Sequence, residues 1–300
     1  MNIRNKLIEY YEYYIYWIRK FQDPEKIISQ KYELLMGKKL DLQNPTTYNE
    51  KLQWLKLHDK NPKYTTLADK YEVRKFVSDV IGEKHLIPLI GVYSSPKEIN
   101  YPSLPNQFVL KCTHDSGSVY ICKEKETFNT RVVNKKLSTA LSRNFYYAGF
   151  EWPYMNIPPR IIAENYMIDE SGYELKDYKF FCFNGEPKAL FVATDRGHGT
   201  TRFDFFDINF NHLDVTQHYP RSERTIHIPD NYEKMIELAR LLSKDLIHVR
   251  IDMYNVSGTI YIGEFTFYHF CGYQPFVPQS FDLLMGSWID LSILSKKDDE

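Results

Sequence analysis

Residues 248–266, HVRIDMYNVSGTIYIGEFT, alternate β-branched and aromatic side chains with others on both sides of a glycine-ended turn. A β-hairpin sorts such a pattern onto two faces. A three-residue loop, Val256-Ser257-Gly258, with Gly258 as its left-handed residue, sets Asp252 opposite Ile262 and Arg250 opposite Glu264. Val249, Ile251, Met253, Tyr261 and Phe265 then point into a core, and Arg250, Asp252, Glu264 and Thr266 point the other way. Two carboxylates as diagonal neighbours, roughly 7–8 Å apart at Cα, can converge on a divalent cation. A four-residue loop would turn Glu264 onto the apolar face, where an unpaired carboxylate is costly, so the odd loop is the self-consistent expectation. The alternative is a solvated outer face whose Arg250–Glu264 pair is an ordinary cross-strand ion pair.

The chain around this hairpin has 300 residues, enough for two or three subdomains, and 43% of them are hydrophobic, which places it among globular proteins. Its 38 basic and 39 acidic residues leave a formal charge of −1, so no bulk attraction to nucleic acid or anionic lipid is expected, and any basic site is local. Cys112, Cys122, Cys182 and Cys271 show no C-x-x-C spacing and read as reduced cytoplasmic thiols rather than disulfides or zinc ligands. No run of about 18 apolar residues and no uninterrupted signal-peptide core is present, and a cytoplasmic protein is expected.

Residues 3–21, crowded with tyrosine, predict a helix packed on the rest of the protein, with a partner- or membrane-surface helix as the alternative. A second helix follows the turn at 44–47, with Thr47 or Asn49 as cap, and a third runs over 67–80 to a stop at Gly82. Lys70 and Arg74, four apart, would share a face of that third helix and meet an anion, or stay as two solvated cations. Residues 86–93 read as a buried strand. Strand 107–111 enters the small-residue loop 112–118 and leaves through strand 119–122. Such a loop can offer backbone N–H groups to phosphate oxygens beside the compact charge of Lys111, or it can be a plain hairpin turn. A helix over 131–147 and a strand over 160–168 follow, then a hairpin of 177–183 and 186–192 around Asn184-Gly185, with Pro187 placing the returning strand locally at an edge. The irregularly spaced His198, His212 and His218 do not suggest a metal site, Asp230 is read as the cap of a helix over 231–246, and the acidic 298–300 end as a solvated tail.

Taken in order, Asp69-Lys70, QFVLK with its loop, Ile162-Ala163-Glu164-Asn165-Tyr166, Asp177-x-Lys179, Arg250-x-Asp252 and Glu264-x-Thr266 resemble an ATP-grasp enzyme. More narrowly, NPTTYNEKLQWLK, ADKYEVRKFV, IGEKHLIPLIGVY, FVLKCTHDSGS, DYKFFCFNGEPK and IGEFTF resemble the TupA-like ATP-grasp proteins of bacterial surface polysaccharide and teichuronopeptide biosynthesis, over about residues 40–285. That resemblance implies an α+β ATP-grasp fold in which two subdomains grip ATP, with a helical N-terminal extension over 1–60, a pre-grasp region over 61–106, a lid subdomain over 107–165 and a catalytic subdomain over 166–300. It implies that Lys70 and Lys111 contact the ATP phosphates, that His114, Ser116, Gly117 and Ser118 form a phosphate lid, and that Glu164 with the Asn165-Tyr166 backbone holds the purine. Asp252, Glu264 and Thr266 would ligate Mg2+, and Lys179 and Arg250 would act in catalysis. Lys179 stands where many ATP-grasp enzymes carry arginine, and Thr266 where many carry a metal-binding asparagine.

The activity implied is ATP-dependent joining of a carboxylate to an amine through an acyl phosphate. A uronic acid, glycan or amino acid would be the substrate, with no nucleic acid and with peripheral association with membrane-bound polysaccharide assembly proteins. Moving a γ-phosphoryl group needs little covalent help but much neutralisation of oxygen charge, and this residue set supplies that. Two readings compete. A glycosyltransferase of polysaccharide assembly would use Asp204-Phe205-Phe206-Asp207 as a metal motif, and a nucleotide-binding scaffold without turnover would recruit partners through the tyrosine-rich helix. A kinase loop is mimicked by His248-x-Arg250-x-Asp252, but its spacing is wrong and no Asp-Phe-Gly follows.

Overall fold

The computed structural model describes residues 16–197 and 199–295, and the expectations for residues 3–15, His198 and the acidic end lie outside them. Two compact units account for the chain.

One unit contains residues 16–39, 56–71 and 88–166 of the described chain. Its centre is an antiparallel sheet ordered β1-β4-β2-β3, with β1 at Leu89–Tyr93, β2 at Phe108–Cys112, β3 at Val119–Cys122 and β4 at Ile161–Asn165. Phe108, Leu110 and Cys112 alternate into a core with Val133 and Leu137 of helix α5, Thr130–Leu141, which leaves Val109 and Lys111 on the other face. The Asn129 side chain caps α5 by accepting from the Val132 N–H at 3.0 Å, and the helix stops at Leu141 rather than running to 147, with a separate turn at Tyr146–Gly149. Helix α1, Pro24–Met36, opens on Asp23 as cap with proline in its first turn and closes on the left-handed Gly37.

The helix expected over 67–80 is instead two. Helix α3 covers Lys63–Ala68 and α4 covers Val73–Ile81, with extended backbone at Asp69. The Asp69 carboxylate accepts from the Tyr71 N–H at 2.8 Å and pairs with Arg160 at 2.6 Å, a local turn that competes with continued helix. Lys70 lies in this turn and Arg74 in α4, so the two do not share a helix face.

The other unit contains residues 40–55, 72–87 and 167–295 of the described chain. Its sheet is antiparallel, ordered β7-β6-β5-β8-β9, with β5 at Asp177–Phe183, β6 at Glu186–Thr194, β7 at Arg202–Asp207, β8 at His248–Val256 and β9 at Thr259–Thr266. Asn184 and Gly185 both take positive φ, 50° and 81°, as the expected tight turn requires. Strand β6 is interior, and Pro187 fits because β7 pairs with it only from Ala189 onward. Helix α6, Tyr232–Ser243, packs across β5, β6 and β8, and the Tyr232 ring stacks on Phe180. Asp230 does not cap α6. The helix starts after Asn231, whose side chain makes no cap and bonds Asn255 and the Gly258 carbonyl instead.

The β8–β9 turn corrects the hairpin expectation. Val256 pairs with Thr259, so the loop is the two residues Ser257-Gly258, both at positive φ of 48° and 82°. Continued without interruption, that register would turn Glu264 onto the apolar face. A bulge at Gly263 restores the parity, and Asp252 then sits directly opposite Glu264, with Arg250 opposite Thr266. Tyr261 pairs with Tyr254 on the polar face, and Ile260 and Ile262 take the core positions beside Met253 and Phe265.

Helix α2, Tyr48–His58, has its first turns in this unit and opens with a capping box: Glu50 accepts from the Thr46 and Thr47 N–H groups at 3.0 Å, and the Glu50 N–H donates to Thr47 Oγ1. Helix α7, Gln279–Ser287, meets this entrance through the Asn49–Asp282 hydrogen bonds. A Cβ added at Gly286 would stand 2.2 Å from the Thr46 carbonyl oxygen, so the contact admits only glycine. Gly286→Ala is expected to destabilise the fold by about 1–3 kcal/mol, read as a lower urea midpoint at unchanged slope.

Candidate functional site

In the first unit, Lys111 on β2 and Glu164 on β4 lie on the sheet face opposite the α5 core. Their side chains form an ion pair of 2.6 Å with both groups largely buried. The loop after β2 is held at its ends by the Cys112 N–H donating to the Ser118 carbonyl at 3.0 Å and by the Ser118 hydroxyl donating to the Asp115 carboxylate. Lys70 joins it, because its ammonium donates to the Asp115 carbonyl and its N–H to the Thr113 carbonyl. Arg160 pairs with Asp69 and lies over the Tyr71 ring at 4.7 Å.

Ser116 and Gly117 are exposed at the loop tip, with Gly117 at φ +98°, whereas His114 is turned inward and bonds the Ala140 carbonyl at 3.1 Å. Burial lowers the His114 pKa, so the ring is neutral and adds no charge toward an anion. The Asn165 N–H is spent on the Pro88 carbonyl at 3.0 Å, its side chain is exposed, and Tyr166 is half-buried. Lys70, Lys111, Glu164 and the 114–118 loop thus belong to one unit.

In the second unit, a row of charges crosses the sheet face opposite α6. Lys179 on β5 pairs with Asp177 at 2.6 Å and with Asp252 on β8. Arg250 grips Asp252 with two hydrogen bonds of 2.7 and 2.8 Å, and its NH2 reaches Glu264 at 3.3 Å and Thr266 Oγ1 at 3.0 Å on β9. Burial pushes the Asp252 carboxyl up, and Arg250 and Lys179 pull it back toward the ionised form. Arg196 closes the far end on Asp177 at 2.5 Å.

Two participants, His269 and Gln217, had no signal of their own in the sequence. His269 Nδ1 accepts from Arg250 NH1 at 2.6 Å, because an arginine can only donate. The proton therefore sits on Nε2, which donates to Gln217 Oε1 at 2.7 Å, and Gln217 donates onward to the Gln274 carbonyl at 2.9 Å. Asp177 stood in a quoted motif without a role, yet its Oδ1 is buried with no hydrogen-bond partner among the described residues. His269 and Gln217 lie 52 positions apart, and no periodicity links them to Arg250. The other motif residues hold structure: Asp204 accepts from the Ser222 N–H and bonds His212, and Asp207 accepts from the Asn209 and Asn211 N–H groups.

The TupA-like ATPgrasp family model matches residues 50–290. The chain belongs to this TupA-like ATP-grasp family. Solved structures similar to it include a D-alanine–D-alanine ligase from Bacillus anthracis, at 17% identity and TM-score 0.45, with 77% of this chain and 70% of that one covered. They also include the ATP-grasp ligase PsnB complexed with minimal precursor, Mg and ADP, at 10% identity and TM-score 0.37, with 73% and 57% covered. A third is the ADP complex of an N5-carboxyaminoimidazole ribonucleotide synthetase, at 14% identity and TM-score 0.39, with 73% and 50% covered. The chain thus spans less than two thirds of the length of the last two. No curated protein matches the sequence.

A TupA-like ATP-grasp protein is expected to take magnesium, and the donor chemistry here suits it. Asp252, Glu264 and Thr266 offer only hard oxygens, and each carboxylate oxygen has two lone pairs, so a contact to Lys179 or Arg250 does not exhaust it. Among the described residues no group of three or more His, Cys, Asp or Glu is arranged to hold a metal. Magnesium is commonly held by one or two carboxylates together with substrate phosphates rather than by an all-protein cage, and this set matches that pattern.

The site's histidines make the fold sensitive to acid. His248 donates from Nδ1 to the Cys182 carbonyl and accepts from the Tyr48 hydroxyl, both at 2.9 Å, and burial lowers its pKa to about 3. Burial, then Arg250, lowers His269 well below the ordinary value. Unfolded histidines take protons near about pH 6.5, so the unfolded chain binds more protons below that point and stability falls as pH drops. Urea unfolding between pH 6.5 and 5 is expected to lose up to about 1.4 kcal/mol per pH unit for each of these histidines. A His248→Gln variant should show a shallower slope.

Proposed function

We propose that the protein is an ATP- and Mg2+-dependent carboxylate–amine ligase that modifies a bacterial surface polysaccharide or its precursor. Its carrying observation is the row Lys179–Asp252–Arg250–Glu264 on one buried sheet face of a TupA-like ATP-grasp chain. Cations and carboxylates in contact there answer what phosphoryl transfer demands, which is charge neutralisation with fixed geometry. The sequence resemblance to polysaccharide- and teichuronopeptide-forming proteins supports the substrate class.

In this reading Lys70 and Lys111 bind ATP phosphate oxygens, the loop containing Ser116, Gly117 and Ser118 contributes backbone N–H groups, and Glu164 with the Asn165-Tyr166 segment serves the purine. Asp252, Glu264 and Thr266 would hold magnesium, which would supply positive charge to offset that of the phosphates. Arg250 and Lys179 neutralise charge that builds on the γ-phosphoryl oxygens. A substrate carboxylate oxygen attacks the γ-phosphorus and ADP leaves, giving an acyl phosphate. An amine nitrogen then attacks the acyl carbon, phosphate departs, and the amine loses a proton. His269 stays neutral and accepts from Arg250, which holds the guanidinium in place without competing for its charge. Among the described residues no helix is long and apolar enough to cross a membrane.

Asp252→Asn and Glu264→Gln should each keep the fold and lose most magnesium-dependent ADP formation, because an amide keeps the shape but not the charge that offsets the ion. Wild-type rates in both variants would overturn the metal assignment. With a panel of uronic acids and amines, oxygen label placed in the acid should appear in released phosphate, and hydroxylamine should trap a hydroxamate. Product formed with AMP, or with no label in phosphate, would overturn the ligase reading.

A further inference from the structure

The acceptor behind Arg250 is carried by backbone that departs from ordinary geometry. Phe270, Cys271 and Gly272, which follow His269, all take positive φ, of 47°, 55° and 65°. Left-handed backbone at two successive residues that bear side chains is costly, and it persists where the surroundings over-determine it. Gln53 of α2 does so here, donating to the Cys271 carbonyl at 3.1 Å and to the Gly272 carbonyl at 2.7 Å. A Cβ at Gly272 would stand 2.3 Å from the Gln53 amide nitrogen, so the clamp needs a glycine. His269 itself is 2% exposed and packed among the rings of Phe181, Phe191, Phe270 and Phe276. Arg250, Lys179 and His248 are the charged or titratable groups that face it.

The other side of the ring is as firmly set. An antiparallel pair of hydrogen bonds between Thr216 and Val277, 2.8 and 2.9 Å, holds the segment that carries buried Gln217. The Gln274 carbonyl accepts from Gln217 Nε2 at 2.9 Å and from Asn49 Nδ2 at 3.3 Å. Reversing the Gln217 amide would set oxygen against that carbonyl, so Oε1 is the atom left facing the imidazole. At 2.7 Å it takes the Nε2 proton, and Nδ1 remains an acceptor for Arg250 NH1 at 2.6 Å. The side-chain bonds of Gln217 end at His269 and Gln274, so it reaches the charged row only through the imidazole.

We propose that Gln217 is a positioning residue for the reaction: by fixing the tautomer of His269 it sets the Arg250 guanidinium in the direction of Glu264 and Thr266. Its consequence for catalysis rests on the ligase reading, which puts Arg250 on the γ-phosphoryl oxygens. A glutamate at this position would favour an imidazolium, in which both ring nitrogens donate. Nδ1–H would then oppose Arg250 NH1, donor against donor, and the guanidinium would lose its hold.

Nitrogen-15 spectra of the imidazoles in the full chain read the tautomer, with His269 assigned by the signals lost in His269→Gln. Wild-type His269 should stay neutral with its proton on Nε2 between about pH 5.5 and 8, and in Gln217→Glu it should become charged in that range. A wild-type proton on Nδ1, or an unchanged ring in Gln217→Glu, would overturn the proposal. Calorimetry with Mg2+ and either AMPPNP or ADP reads the guanidinium. Gln217→Glu, Gln217→Met and His269→Leu, each checked for a cooperative unfolding curve, should lose about tenfold or more in AMPPNP affinity and keep ADP affinity within about twofold. His269→Gln, which keeps an acceptor for Arg250 and a donor for Gln217, should recover most of what His269→Leu loses. Equal losses for the two nucleotides would mark a merely structural role and overturn the proposal, as would wild-type AMPPNP affinity in the Gln217 variants. Selective AMPPNP loss with a failed label-transfer assay would overturn the ligase reading alone, and a wild type that binds neither nucleotide would overturn both.

Discussion

Arg250 is the side chain on which the second unit's polar face depends. Its guanidinium is buried within an antiparallel sheet, and each of its three nitrogens meets an acceptor: Asp252 by a fork, Glu264 and Thr266 across the strand pair, and His269 from the segment after β9. Desolvating such a charge costs several kcal/mol and is offset only when geometry and hydrogen bonding are both good. Balance is kept along the row, where Asp177, Asp252 and Glu264 face Lys179, Arg250 and Arg196. A face assembled this way has fixed dipoles before any substrate arrives, which is the property that electrostatic catalysis exploits.

Placing those groups required a backbone device. A two-residue turn of Ser257-Gly258 twists with the strands, but its register alone would bury Glu264 among apolar side chains. Gly263 absorbs the extra residue as a bulge. A Cβ at this position would stand 3.0 Å from the Tyr254 ring and 3.3 Å from the Asp252 carbonyl oxygen, so the lack of a side chain lets the strand bend where the charged pair begins. Turn chemistry and site chemistry are therefore coupled within a dozen residues.

The first unit solves a different problem with simpler means. Alternation along β2 sends Phe108, Leu110 and Cys112 into the core with α5 and leaves Lys111 on the opposite face, where Glu164 neutralises it. Lys70 reaches the loop after β2 from a turn that exists because Asp69 bonds its own backbone and Arg160. In both units, lysines on the sheet faces or beside the loop after β2 are held by carboxylates or carbonyls.

Much of this was legible in the chain because it is local or periodic. Alternation placed β8 and β9, the small-residue loop marked the passage from β2 to β3, Asn184-Gly185 announced the turn between β5 and β6, and the ordered motifs carried the family resemblance that the match over residues 50–290 establishes. The shared face of Asp252 and Glu264 was also readable, since parity depends on whether the residues in loop and bulge together are odd or even in number. Tertiary structure decided the rest. Whether that odd residue sat in the loop or in a bulge depended on how Gly263 packs against Tyr254, and the helix break at Asp69 depended on Arg160, 91 residues away. His269, Gln217 and the unmet oxygen of Asp177 joined the site only once the chain had folded, because a hydrogen bond between distant residues leaves no period in the sequence to read.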